Sequence, residues 1–366
     1  MTDQILSPAF SKFATGDELD RFEAITAGHI NRTYAVFVKG AEKPKYVLQK
    51  INTNIFKDPV GLIANIKGVC AHVGKKVQER GGDVMRETLT LIPTVDGKDF
   101  YLDEEHGAFR LYYFITDATA HQSADQPRIL YHAAEAFGTY QNLLSDYPAE
   151  TLSETIPNFH NTVSRYADFL QAIEDNKAGR LDECTEEIEI IKAHESYAHI
   201  IVDALASGEI PLRVTHNDTK LNNIMIDDKT GEGICVIDLD TVMPGSLLYD
   251  YGDSIRFAAC NSAEDETDLS KVFLRLDLFE EYTEGFLKGV GKNITAKEIE
   301  LLPVSAFILT YEVVLRFLGD YLNGVTYFQV HRDTHNLERA RAQLTLALDI
   351  EKKLPEMAEI VKKYVK

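Results

Sequence analysis

The sequence has no tryptophan, only four cysteines, and no run of about 18 apolar residues. A bilayer span needs roughly 20 such residues, so we expect no membrane span and no membrane partner. The cysteines (Cys70, Cys184, Cys235 and Cys260) lack metal-ligand spacing, and the reduced thiols of a cytoplasmic protein are their simplest explanation. The N-terminus has no basic start followed by an apolar core, so we predict no signal peptide.

Basic residues are also scarce. The chain has 38 Lys and Arg residues against 58 Asp and Glu residues, which gives a net charge of −20. Proteins that bind nucleic acid need a basic surface, so we do not expect a nucleic-acid partner. With 366 residues, 45% of them hydrophobic and 26% charged, the composition is that of a globular protein with one or two domains.

What the sequence does contain is a polar loop between short apolar segments at 213–240, which predict strands. The loop carries the pattern H-x-D-x-x-x-x-N at His216, Asp218 and Asn223. This is the catalytic-loop spacing of protein kinases, in which the Asp accepts the proton of the substrate hydroxyl and the Asn holds magnesium. We therefore predict Asp218 as a catalytic residue and Asn223 as a metal ligand.

Three neighbouring side chains extend this prediction. Asp238 ends the last strand, where a second magnesium ligand belongs, and Lys220 is close enough to offset charge on the γ-phosphate of ATP. Asp240 has the same strand parity as Asp238, so it either faces the metals or belongs to the following loop. Turn formation explains a single Asp or Asn, but not this ordered set. The predicted cofactors are ATP and Mg²⁺.

The second metal ligand lies in VIDLD rather than in Asp-Phe-Gly, and no Ala-Pro-Glu segment follows. With the loop pattern, this resembles the aminoglycoside phosphotransferase and choline kinase superfamily of small-molecule kinases. The stretches HNDTKLNN, IDLDTVMPGSLLYDYGDSIR and LRFLGDYLNGVTYF resemble its N-acetylhexosamine 1-kinase branch. The resemblance implies an α+β, bilobal, protein-kinase-like fold, with a β-rich N-terminal lobe and a mainly α-helical C-terminal lobe. It also implies that His216 packs beneath the metal-binding strand.

The N-terminal part is predicted to bind the nucleotide. Strands at 22–27 and 32–39 flank the turn Gly28-His29-Ile30-Asn31, which contains a single glycine. An ordinary hairpin turn is one interpretation. In the presence of the catalytic loop, we interpret it as a cover over ATP in which Asn31 and Thr33 donate to the phosphates.

A kinase also needs a cation on its third strand, and here the register is ambiguous. Gln49 and Lys50 face opposite sides of the sheet. We favour Lys50 because the phosphates need a cation, and an exposed lysine is the alternative. The following helix carries no glutamate at 58–78 to hold that lysine, and Asn65 and His72 are its polar candidates.

The residues Phe114-Ile115-Thr116-Asp117 follow a predicted strand at 108–115, and the composition shifts from β-rich to α-rich near residue 117. We therefore place a nucleotide-binding lobe at 1–114 and a helical lobe with the catalytic loop, metal site and acceptor pocket at 115–366. The resemblance implies that adenine contacts the main chain of the connector, at Thr116.

Several further elements follow from local patterns. The sequence predicts a hairpin of strands 88–95 and 98–102 over Asp96-Gly97. Apolar residues at helical spacing predict a continuous helix at 186–205. A shorter helix is predicted at 254–259 with Asp253 as its N-cap; the resemblance implies an Asp here that holds the catalytic loop, and both roles can hold at once.

The acceptor pocket is expected beside Asp218. Glu312, Arg316 and Asp320 recur at i, i+4 and i+8 and so share one helix face. A solvated ladder of salt bridges is one explanation. The other is a polar cleft wall that binds the acceptor, and we predict Arg316, Asp320 and the following Tyr327 as substrate-binding residues.

The predicted function is ATP-dependent phosphorylation of a sugar, with the anomeric hydroxyl of an N-acetylhexosamine as the implied acceptor. Aminoglycoside, choline, homoserine and methylthioribose are alternative acceptors, and the net charge of −20 suits a polycationic aminoglycoside. Because 58–78 contains no glutamate, a pseudokinase that only binds ligands is a further alternative. The intact set Asp218, Asn223 and Asp238 argues for an enzyme.

Overall fold

The computed structural model describes residues 3–26, 30–124 and 128–365. The predicted turn residues Gly28 and His29 lie outside this part. The strands are β1 (Leu19–Ile25), β2 (Arg32–Val38), β3 (Tyr46–Lys50), β4 (Tyr101–Asp103), β5 (Gly107–Tyr113), β6 (Ala118–Thr119), β7 (Arg213–Thr215), β8 (Ile224–Asp227), β9 (Gly233–Val236) and β10 (Met243–Gly245). The helices are α1 (Asp3–Phe10), α2 (Pro59–Glu79), α3 (Val84–Glu87), α4 (Ile129–Leu143), α5 (Thr162–Asp175), α6 (Thr185–Ala193), α7 (Ile200–Ser207), α8 (Leu247–Ala258), α9 (Leu276–Val290), α10 (Ala296–Leu322) and α11 (His335–Tyr364). The predicted α+β fold, β-rich first and mainly helical afterwards, is confirmed.

The N-terminal part is built on one antiparallel sheet with the strand order β1-β2-β3-β5-β4. Successive side chains of each strand point to opposite faces, so position along the strand decides which core a residue joins. Leu48 and Phe109 lie on the face that packs against α1. Ile51 and Tyr112 lie on the other face, in the large core shared with α2 and the helical part.

Helix α10 lies at the centre of the helical part and packs against α5, α8 and α11. By length and composition it could cross a membrane, but 89% of its apolar stretch is buried inside the fold, as expected for a core helix. It begins with a capping box of Thr295 and Glu298. Glu298 also pairs with the buried Arg213 of β7 (Nε to Oε1, 2.6 Å), which fixes the start of the catalytic segment to α10.

The catalytic segment runs through two small antiparallel ladders. β7 pairs with β10, and β8 pairs with β9 on one side and β6 on the other. The loop between β7 and β8 is therefore fixed at both ends. This arrangement matches the predicted strands at 213–240, except that the last one, β9, ends at Val236.

Some local predictions are wrong. The predicted hairpin is replaced by isolated bridges, Leu91 with Tyr112 and Phe13 with Thr94, in a segment where Pro93 has no N–H for a ladder. The predicted helix at 186–205 is interrupted between α6 and α7, where Tyr197 packs on Phe307 of α10 with ring centroids 4.2 Å apart.

Helix α8 also begins earlier than predicted. Ser246 caps it, with its Oγ accepting a hydrogen bond from the N–H of Leu248 at 3.2 Å. Asp253 is therefore inside the helix, where it accepts hydrogen bonds from Arg256 one turn later. The interpretation of Asp253 as an N-cap is wrong, because the capping position lies seven residues before it.

Candidate functional site

The structure brings Asp218, Lys220 and Asn223 together. Lys220 Nζ lies 2.6 Å from Asp218 Oδ1. Asn223 Nδ2 donates to the main-chain oxygen of Asp218 at 2.7 Å and to its Oδ2 at 3.1 Å. Burial alone would lower the pKa of Lys220, but the adjacent Asp218 raises it above the ordinary value. The result is a charged pair in which the partly exposed carboxylate of Asp218 can meet a substrate hydroxyl.

Asp250 of α8 holds this loop in place. Its buried carboxylate accepts hydrogen bonds from the N–H groups of His216 (3.0 Å) and Asn217 (2.8 Å), and from Gln141 Nε2 (2.7 Å). His216 is fully buried, and its Nε2 lies 2.9 Å from the main-chain oxygen of Ile237. The predicted structural role of His216 beneath the metal-binding strand is therefore confirmed.

Asp238 has the features of a metal ligand. Its φ is +59°, a left-handed conformation that is uncommon outside glycine and is often found at functional sites. No group of the described residues forms a hydrogen bond or ion pair with its carboxylate. Burial raises the pKa of Asp238 to about 6, and the carboxylates of Asp240 and Asp218 add to the rise. A bound cation would relieve this repulsion.

The donor set fits magnesium. Asn223 uses Nδ2 towards Asp218, so the assigned amide orientation leaves its Oδ1 as an oxygen ligand beside Asp238. Within residues 3–26, 30–124 and 128–365, no group of three His, Cys, Asp or Glu side chains is arranged to hold a metal. Mg²⁺ needs few protein ligands, because it completes its shell with water and phosphate oxygens.

Asp240 has a different role from the one predicted as a metal ligand. Its Oδ1 lies 2.5 Å from Nη1 of Arg110 on β5, and its Oδ2 accepts a hydrogen bond from Asn31 Nδ2. Both Asp240 and Arg110 are buried, at 3% and 1% exposure. The parity argument fails because β9 has already ended and the chain turns at Asp238. Asp240 thus joins the N-terminal sheet to the catalytic segment.

The sheet face that meets Asp240 also carries Thr33 and Gln49. Arg110 Nε donates to Gln49 Oε1 at 2.9 Å, and Gln49 Nε2 donates to Thr33 Oγ1 at 3.0 Å. Lys50 is paired with Phe109 in the sheet register and so lies on the α1 face. The preference for Lys50 is therefore corrected: Gln49 faces the catalytic segment, and the cation on that face is Arg110.

The structure shows the protein contacts of Asn31 and Thr116, which were also predicted to bind the nucleotide. Asn31 Oδ1 accepts from the N–H of Asn52 at 2.9 Å, so this side chain links the start of β2 to the residues after β3 and to Asp240. The phosphate contacts of Asn31 and Thr33 stay predictions. The main-chain oxygen of Thr116 accepts from Arg86 Nη1 at 2.5 Å and keeps a second lone pair, and the contact of Thr116 with adenine stays a prediction. The lobe boundary at 114/115 likewise stays a prediction.

Helix α2 supplies no substitute for the missing glutamate. Asn65 Nδ2 donates to the main-chain oxygen of Val242 at 2.9 Å, and His72 Nε2 lies 2.9 Å from Asp146. Neither bonds to β3. The lysine–glutamate pair of protein kinases has no counterpart in the described residues. The buried ion pair on this side of the sheet is that of Arg110 with Asp240, which joins β5 to the catalytic segment.

A cavity of about 350 Å³ lies beside the catalytic loop. It reaches the loop at Asn217, the residue before Asp218, and its wall includes Phe159, His160 and Tyr249. Glu154 is the only acidic residue among the described residues that line it. The cavity is at the small end of the roughly 300–1,000 Å³ usual for ligand pockets, which suits a small acceptor.

Arg316 packs near Phe159, one of the residues that line this cavity. Its guanidinium carbon is 5.7 Å from the ring centre of Phe159, 5.8 Å from that of Tyr327 and 5.5 Å from that of Phe328. No carboxylate of the described residues lies within ion-pair distance of it, so the ladder interpretation is wrong. The structure brings Arg316 and Tyr327 together, with guanidinium donors left for a ligand.

Asp320 does not share that role. Its carboxylate accepts hydrogen bonds from the N–H groups of Thr326 (2.8 Å), Tyr327 (2.9 Å) and Phe328 (3.1 Å) and from Asn336 Nδ2 (2.8 Å). A carboxylate has about four acceptor positions, so none is left for a substrate. The substrate-binding prediction for Asp320 is corrected: it holds the loop that carries Tyr327.

The sequence reasoning missed three residues of this region. Arg110 is a lone charge in the apolar strand AFRLYYFI, and that charge was the available signal. Asp250 lies in the stretch LLYDYGD, where Asp253 was singled out instead. His160 has no surrounding motif, and only its burial against α10 identifies it.

The comparisons agree with this geometry. The sequence model of the phosphotransferase enzyme family (APH) matches residues 21–283. An aminoglycoside phosphotransferase from Alicyclobacillus acidocaldarius superposes with a TM-score of 0.60 at 10% identity, covering 99% of this chain and 98% of its own. A choline kinase from Cryptosporidium parvum gives 0.57 at 14%, with 97% of both chains covered. A spectinomycin phosphotransferase bound to ADP and spectinomycin gives 0.55 at 13%, covering 97% and 99%.

At these identities the solved structures establish the fold, whereas the family match spans most of the chain. It includes the loop with Asp218 and Asn223 and the metal-type Asp238. The chain belongs to the phosphotransferase enzyme family (APH) and is a small-molecule phosphotransferase that acts on a hydroxyl acceptor.

Proposed function

We propose that this kinase phosphorylates a neutral sugar with ATP and Mg²⁺, and that the sugar is an N-acetylhexosamine phosphorylated at its anomeric hydroxyl. The observation that carries the proposal is the charge around the cavity beside Asp218. Among the described residues Glu154 is its one acidic lining residue, and Arg316, which packs near the lining residue Phe159, has no carboxylate partner. A polycationic acceptor such as an aminoglycoside would need several carboxylates in its pocket.

The sugar branch itself is supported by the residues HNDTKLNN and LRFLGDYLNGVTYF. An anomeric hydroxyl is more acidic than an ordinary alcohol, so a carboxylate can assist its deprotonation with a smaller mismatch in pKa. Arg316 offers a fork of N–H donors, and the rings of Phe159 and Tyr327 offer apolar surface for the face of a sugar.

The side chains divide the work as follows. Asp218 orients the acceptor hydroxyl and accepts its proton, while Lys220 offsets the charge that develops on the transferred phosphoryl group. Asn223 and Asp238 would hold the magnesium, which when bound would neutralise charge on the phosphates of ATP. Arg110 and Asp240 keep the nucleotide-facing sheet in register with these ligands.

The test is an acceptor screen. The enzyme, ATP and magnesium are incubated with N-acetylglucosamine, N-acetylgalactosamine, kanamycin, choline and homoserine, and ADP release is measured. Phosphorus NMR then locates the phosphate in any product. We expect turnover of an N-acetylhexosamine and a phosphate on C1.

Each outcome tests a different part of the proposal. Phosphate on C6 would retain the sugar but overturn the anomeric position. Turnover of only a cationic acceptor would overturn the charge argument, while the kinase assignment would stand. The Asp218→Asn variant is the control that excludes a contaminating kinase.

A further inference from the structure

His160 is a buried residue of the cavity wall with only one of its two ring nitrogens in use. It is 8% exposed, and its Nδ1 lies 2.8 Å from Glu312 Oε1. Its Nε2, on the other side of the ring, is buried and has no hydrogen-bond partner among the described residues. Buried polar atoms of native proteins are nearly always satisfied, so this nitrogen is a candidate for contact with a ligand.

Glu312 decides which hydrogen-bonding role Nε2 has. It is fully buried in α10, and its Oε2 accepts a hydrogen bond from Thr162 Oγ1 at 2.9 Å. Burial would raise its pKa, but the contact with His160 and the charge of Arg316 hold the pKa of Glu312 below its ordinary value. The carboxylate is therefore ionised and can only accept, so Nδ1 of His160 is the donor. In a neutral imidazole with the proton on Nδ1, Nε2 carries the lone pair.

Packing keeps the ring in this orientation. The ring of Phe159 lies 4.6 Å from that of His160, and the ring of Tyr249 lies 5.2 Å away, measured between centroids. All three side chains line the same cavity. Rotation of the imidazole would break its bond to the buried Glu312, so Nε2 cannot turn towards another partner.

We propose that Nε2 of His160 accepts a hydrogen bond from a hydroxyl or amide N–H of the bound sugar and thereby helps to select the acceptor. Glu312 is a positioning residue, which holds the ring through Nδ1, whereas Thr162 only completes the hydrogen bonding of the buried Glu312 carboxylate. Together with the donors of Arg316, this gives the cavity both an acceptor and donors, the complement of a neutral, hydroxyl-rich ligand. The inference rests on the proposed function, which supplies the sugar.

The experiment pairs His160→Asn with acceptors that lack one donor. The amide N–H₂ of an asparagine takes the place of Nδ1–H and keeps the bond to Glu312, while the acceptor at Nε2 is lost. kcat/KM is measured for N-acetylglucosamine, for its 3-, 4- and 6-deoxy analogues, and for glucose and 2-deoxyglucose. In the wild type, removing the donor that meets His160 is expected to lower kcat/KM about tenfold or more. In His160→Asn, kcat/KM for N-acetylglucosamine is expected to fall by a similar factor. Removing the same donor group from the acceptor is then expected to lower kcat/KM no further.

Thr162→Val is the matched control. It removes the other hydrogen bond to Glu312 without touching Nε2, so we expect a lower melting temperature with the discrimination between analogues retained. If every deletion costs folded His160→Asn as much as it costs the wild type, the inference is overturned and the proposed function stands. If the wild type phosphorylates no sugar at all, both fall together.

Discussion

The catalytic loop and the sheet face opposite it differ in how closely they follow the protein-kinase pattern. In the loop, the residue types and spacing of the kinase pattern are present, and Asp218, Asn223 and Asp238 lie where that pattern predicts. On the sheet, the expected lysine is a glutamine, Gln49, and the cation on that face comes from another strand as Arg110. The loop performs chemistry through side chains a few residues apart, whereas the sheet has only to hold charge in place. A charge can be supplied from any neighbouring strand.

The largest expected effect is that of Asp218→Asn. Loss of the group that accepts the hydroxyl proton should lower kcat by about 10²- to 10⁴-fold. ATP–magnesium binding should persist, because the metal relies on Asn223 and Asp238. Steady-state kinetics and calorimetric titration measure the two quantities. Near-normal kcat in a folded variant would show that Asp218 is not the acceptor-contacting group.

Arg110→Met tests whether the sheet side has a structural role. Asp240 would keep a buried charge with no cation beside it, which typically costs about 3–5 kcal/mol of stability. We expect a large fall in the free energy of unfolding, measured by urea denaturation. Arg110→Met combined with Asp240→Asn should recover part of the loss. A single variant as stable as the wild type would contradict the role of this ion pair.

Asp238→Ala and Asp240→Ala separate two carboxylates that are two residues apart. Asp238→Ala removes a magnesium ligand and should weaken ATP–magnesium binding about tenfold or more, while relief of a strained, repelled carboxylate leaves stability little changed. Asp240→Ala should instead lower stability. Calorimetry at several magnesium concentrations, with thermal melts, distinguishes them. The same magnesium dependence in Asp238→Ala and the wild type would exclude Asp238 as a ligand.

The smallest expected effect is that of Lys50→Ala. Because Lys50 lies on the α1 face, we expect a change in stability within about 0.5 kcal/mol and almost no change in KM for ATP. Gln49→Ala is the matched variant on the other face and should raise KM for ATP, since it frees both Thr33 and Arg110. A larger effect of Lys50→Ala on KM for ATP would support Lys50 as the cation that meets the phosphates.

Sequence reasoning reached what is encoded over short distances. The loop spacing and the fold class depend on local patterns, and both were predicted. Asp240 and Asp320 were misassigned because their partners, Arg110 and the loop at 326–328, are set by tertiary packing. Strand parity and helix-face spacing assume that the element continues, and both arguments failed where the chain turns. His160 was missed for the same reason, since Glu312 is 152 residues away.

One feature of α8 bears on how the catalytic loop tolerates substitution. Asp250 holds the loop through the N–H groups of His216 and Asn217, and these two bonds do not depend on the side chain at position 217. The φ of Asn217, +66°, limits that position to residues comfortable in the left-handed region, chiefly Asn, Asp and Gly. Proline is excluded twice, by its fixed negative φ and by its missing N–H. Side-chain chemistry adds a further restriction, because the buried Asn217 Nδ2 donates to the main-chain oxygen of Thr241 at 2.7 Å, a bond that Gly and Asp cannot make.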